Sequence, residues 1–72
     1  MAVKVRFYEV ESRPVVVRSA DGISEAFVWR DGAWFEAPGL VLKSVMEGSP
    51  LSESGFVAEF PEADLGALPT RS

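Results

Sequence analysis

A chain of 72 residues with no cysteine and no histidine can form neither disulfides nor thiolate or imidazole metal sites, so its stability must come from its own core or from association with another chain. Hydrophobic residues at 47% beside 25% charged residues exclude a disordered composition, and no apolar run reaches the roughly 18–20 residues of a membrane span. The net charge of −4 opposes non-specific binding to nucleic acid or to an anionic membrane surface.

Val3 to Val10 alternates apolar and polar residues, which predicts a strand with Val3, Val5 and Phe7 on one face and Lys4, Arg6 and Tyr8 on the other. Charges inside the apolar pattern of Met1 to Arg6 favour this strand over a secretion signal. Together with the missing cysteines, they give the expectation of a cytoplasmic protein. Glu11-Ser12-Arg13 reads as a three-residue loop, and Pro14 then opens a second strand, Val15 to Ser19, where its missing N–H does least harm.

Asp21-Gly22 and Asp31-Gly32 each read as a two-residue hairpin turn, because both central positions need positive φ, which Gly adopts freely and Asp tolerates. This sets Arg18 opposite Glu25, Val15 opposite Val28, Val28 opposite Phe35 and Trp29 opposite Trp34. The tryptophans fall at a non-hydrogen-bonded position, where cross-strand side chains come closest. Their spacing resembles that of designed tryptophan-zipper hairpins, a likeness confined to the hairpin and carrying no function. One face of the sheet then holds Val15, Val17, Ala26, Val28, Ala33 and Phe35; the other holds Val16, Arg18, Glu25, Phe27, Trp29, Trp34 and Glu36. With a three-residue first loop, Phe7 faces Val17 on the smooth face, and Lys4, Arg6 and Tyr8 join the tryptophans.

Ala37-Pro38-Gly39 breaks the sheet. Leu40 to Glu47 reads as a short helix with an apolar stripe of Val41, Leu42, Val45 and Met46, and with Lys43, Ser44 and Glu47 outside it. Gly48 ends it. Leu51 to Ser54 reads as a loop or a helical turn, Phe56 to Phe60 as a last strand ended by Pro61, and Glu62 to Leu68 as one helical turn. The expected architecture is α+β, a small antiparallel β-meander of four to five strands with one short helix packed on one face. It forms a single globular domain over residues 1–68 with a frayed tail at 69–72. The helix is expected on the smooth face, which leaves the tryptophan face without a lid unless the C-terminal segment folds over it. The alternative puts the helix on the tryptophan side, as core.

The side chains offer little to catalysis. Eight serines have no histidine or cysteine to activate them. Glu9 and Glu11, and Glu59, Glu62 and Asp64, read as solvated surface without the burial that tunes a carboxylate. Neither calcium-loop nor phosphate-loop spacing occurs. The expectation is therefore a non-enzymatic chain with no cofactor and no metal, acting as a protein-interaction module or subunit. It would self-associate, as a homodimer, through an aromatic sheet face made of Trp29, Trp34, Phe27, Tyr8, Arg6 and Arg18, residue types favoured at binding hot spots. The alternative is single-stranded nucleic-acid binding by stacking on the same face, against which the net charge of −4 counts. An acidic mimic of DNA is a weaker reading still, because the acids of the C-terminal half are scattered.

Overall fold

Three two-residue turns in left-handed backbone fold the first half of the chain into a meander: Glu11-Ser12 (φ 51° and 65°), Asp21-Gly22 (56° and 77°) and Asp31-Gly32 (53° and 77°). In this computed structural model, which describes residues 3–69, they join β1 (Lys4–Val10), β2 (Arg13–Ala20), β3 (Ile23–Arg30) and β4 (Ala33–Glu36). The helix α1 (Leu40–Glu47) follows, then β5 (Ser49–Leu51), the helix α2 (Glu53–Glu59) and one 3₁₀ turn at Leu65–Ala67. The sheet is antiparallel throughout, in the order β4-β3-β2-β1-β5. The chain is thus a small α+β protein, as expected.

The two Asp-Gly turns set the registers read from the sequence, with Arg18 opposite Glu25 and Trp29 opposite Trp34. The first turn does not. It is two residues long, not three, so Phe7 pairs with Val16 and Tyr8 with Val15. A one-residue slip reverses every side chain of a strand. Phe7 and Val5 therefore join the tryptophan face, while Lys4, Arg6, Tyr8 and Val10 join the smooth one. The gain is packing. Tyr8 and Val10 are buried among Val15, Val17, Ala26 and Val28, and the Phe7 ring lies 5.1 Å from that of Phe56. Left-handed backbone at Glu11 and Ser12, neither a natural occupant, is the local cost.

The last strand is also placed differently. Phe56 to Glu59 belongs to α2, with Phe60 as its C-cap, and the fifth strand is Ser49–Leu51, which pairs with β1 at the sheet edge. Ser52 caps α2 by accepting from the Gly55 N–H at 3.1 Å. Phe56 and Phe60, one helical turn apart, then point the same way. They cover the tryptophan face, packing with Ala63 on Val16, Phe27 and Trp34. The sheet is thus covered on both faces, by α1 on one and by residues 53–68 on the other. The C-terminal segment is tied down by the Trp34 indole N–H, which donates to the Asp64 carbonyl at 2.7 Å, and by the Arg18 guanidinium, which donates to the Pro69 carbonyl at 2.7 Å. Of the tail expected to fray, residues 70–72 lie outside the described residues.

The helix α1 lies on the smooth face, as expected, but turned. Leu40, Val41 and Ser44 face the sheet, while Leu42, Val45 and Met46 are exposed at 67%, 57% and 73%. Ser44 and Gly48 are small enough to let the helix end lie against β1. The Ser44 hydroxyl is fully buried, with no hydrogen-bond partner among the described residues. An orphaned buried hydroxyl costs roughly 1–3 kcal/mol. Ser44→Ala is therefore expected to raise stability by about 1 kcal/mol in urea unfolding, whereas a loss of that size would mean that the hydroxyl is satisfied.

Candidate functional site

The six residues expected to form one aromatic surface do not share a face. Trp29, Trp34, Phe27 and Arg18 stand together on one side of the sheet. The altered β1 register puts Tyr8 and Arg6 on the other, where Tyr8 is buried against the valines and Arg6 is exposed. The four that do meet are engaged within the chain. Trp29 and Trp34 make an edge-on pair with ring centroids 5.2 Å apart at 71°. Trp34 also stacks at 17° to Phe56, 6.5 Å away, and Phe27 is buried. The Arg18 guanidinium lies 5.0 Å over the Phe27 ring and 3.8 Å from a Glu25 carboxylate oxygen, besides holding Pro69. The stacking platform needed for single-stranded nucleic acid is occupied by Phe56 and Phe60. The face anticipated as a working surface is the second hydrophobic core.

Among the described residues, two other open surfaces stand out. The first is the outer ridge of α1, Leu42, Val45 and Met46, three large apolar side chains in one patch on solvent. Lys43 and Glu47 run along one flank of this ridge. The Lys43 ammonium donates to a Glu11 carboxylate oxygen at 2.6 Å, which holds the Glu11 carboxyl below the ordinary carboxylate range and the Lys43 ammonium above the ordinary lysine range. This pair fastens the first β-turn to the helix. Both groups are solvent-accessible, and such pairs are weak.

The second is a cavity of about 240 Å³ between the smooth face and the start of α1. Val10, Val15 and Val28 form its floor and Leu40 one wall. Phe35, 39% exposed, lies on its outer side, with the Arg30 guanidinium 4.5 Å over its ring. Arg13, Glu11, Glu36 and Ala37 complete the lining.

The sequence pattern assigned the ridge residues to the core because their hydropathy outweighs that of Ser44. The signal for the true inner face is the pair of small residues, Ser44 and Gly48, which marks where a helix can approach a sheet closely. The arginines of the cavity were obscured by placing Arg13 in a loop. Once Arg13 is in β2, the Asp21-Gly22 register puts it on the same face as Arg30. Among the described residues, no group of three or more aspartates and glutamates is placed to hold a metal ion, and no helix is long and apolar enough to cross a membrane. No protein-family model, curated protein or solved structure matches the chain.

Proposed function

We propose that this protein is a small non-enzymatic interaction module that pairs with a second copy of itself through the outer ridge of α1. One observation carries the reading: Leu42, Val45 and Met46 are all more than half exposed on the same side of an eight-residue helix. Single exposed apolar residues are ordinary, but a contiguous apolar patch on a small protein points to contact with another surface. Leucine and methionine are unbranched at Cβ and can interdigitate with their own copies.

The flanking charges favour a second copy over an unrelated partner. When two such helices pack antiparallel about a two-fold axis near Val45, Lys43 of each faces Glu47 of the other, so the flank is complementary to itself. The net charge of −4 on each copy opposes self-association through any surface, which keeps the pairing weak. A helix of eight residues buries less than a standard interface, so dissociation is expected in the micromolar range or above.

Light scattering across a concentration series tests this. The wild-type mass should rise from monomer towards dimer between about 10 and 500 µM. Leu42→Glu should weaken pairing at least about tenfold, equivalent to roughly 1.4 kcal/mol. A wild-type chain that stays monomeric throughout, or a Leu42→Glu variant that dimerises like the wild type, contradicts the proposal.

A further inference from the structure

The cavity on the sheet side of α1 carries an inference independent of helix pairing. Its floor is apolar, and around it stand Arg13 and Arg30 together with Glu11 and Glu36. The β2–β3 pairing ends at Val15 and Val28; Arg13 and Arg30, each two residues beyond it on its strand, lie on the same face of the sheet and both line the cavity. Like charges brought to one cavity repel. The Glu11 carboxylate lies near enough to Arg13 to feel its charge, but its salt bridge goes elsewhere. Glu11 is committed to the Lys43 ammonium at 2.6 Å. Glu36 contributes to the cavity wall but is paired opposite Phe27, which assigns its side chain to the tryptophan face. Among the described residues, neither Arg13 nor Arg30 has an ion-pair partner.

We infer that this cavity binds a small organic carboxylate with an apolar body, its carboxylate between the Arg13 and Arg30 guanidiniums and its body on Val15 and Val28. The anion relieves the arginine–arginine repulsion. Each guanidinium offers a planar fork of N–H donors that matches a carboxylate. Stacking on Phe35 holds Arg30 in place with its N–H edge open and lowers the ordering cost of binding. The volume of about 240 Å³ lies below that of drug-sized sites and suits a body of one aromatic ring or a short branched chain. Neither an inorganic anion nor a neutral ring would satisfy both halves of the site.

The test is a titration of the whole chain followed by amide resonances, with sodium benzoate, benzamide and inorganic phosphate as probes. Benzoate should shift the amides of Arg30, Phe35, Ala37 and Leu40 saturably below about 10 mM. Benzamide and phosphate should each bind at least about tenfold more weakly. Arg30→Gln and Arg13→Gln should each cost benzoate about tenfold or more. The Trp34 indole N–H resonance, held by the Asp64 carbonyl, reports that each variant is folded. The inference is overturned if benzoate causes no saturable shift, if benzamide or phosphate binds equally well, or if either folded glutamine variant binds benzoate like the wild type.

Discussion

Phe56→Ala is expected to destabilise the fold by about 3–5 kcal/mol, the usual range for removing a fully buried phenylalanine ring. Phe56 is completely buried, with ring centroids 5.1 Å from Phe7, 5.5 Å from Phe60 and 6.5 Å from Trp34. It is the one residue of α2 inserted between the sheet and the C-terminal segment. A 72-residue domain has a total stability of only about 4–11 kcal/mol, so the variant should be largely unfolded near 37 °C or bind hydrophobic dyes. Urea unfolding measures the loss. A cost below about 1 kcal/mol would mean that residues 53–68 do not cover the tryptophan face, and the placement of α2 would fall with it.

Gly48→Ala has the next largest expected effect. The backbone of Gly48 is extended, with φ −77°, so no left-handed conformation requires glycine here. The constraint is space. A Cβ at this position would lie 2.7 Å from the Ser44 carbonyl oxygen and 3.0 Å from Val10 Cγ2. The first of these is backbone and cannot turn aside. The helix end must move off β1, breaking the Gly48 N–H bond to the Ser44 carbonyl (3.0 Å) and disturbing β5, which begins at the next residue. Overpacking of this kind costs typically about 1–3 kcal/mol. An alanine variant with an unchanged urea midpoint would show that α1 does not sit this close to the sheet.

Much of the fold was legible where turn chemistry is unambiguous. Asp-Gly at 21–22 and at 31–32 gave three strands in the observed register, because glycine makes the second left-handed position nearly free. Glu11-Ser12 forms the same kind of turn with residues that do not advertise it. The turn is selected from a distance, by the burial of Tyr8 and Val10 on one face and of Phe7 on the other. Phe56 to Phe60 fits two periods at once, since its ends are four apart and also two alternations apart. Ser52, three residues before Gly55, was the cue for a helix. The hairpin register brought Trp29, Trp34, Phe27 and Arg18 together correctly. Whether they faced water depended on α2, and a local reading of the hairpin has no access to that. The functional surfaces were hidden for the same reason. Leu42, Val45 and Met46 look like core until Ser44 and Gly48 are seen to occupy the inner face.

The result is a sheet covered on both faces, apart from the cavity beside the start of α1. Its aromatic residues hold the fold together, and its open apolar surface lies on the back of a helix. The most direct test of this division is a half-filtered nuclear Overhauser experiment on a mixture of isotope-labelled and unlabelled chains at high concentration. Intermolecular contacts are expected among the Leu42, Val45 and Met46 methyl groups and to be absent at the Trp29 and Trp34 rings. Contacts from either tryptophan ring to the unlabelled copy, with none from α1, would return the working surface to the aromatic face and contradict the pairing proposed here.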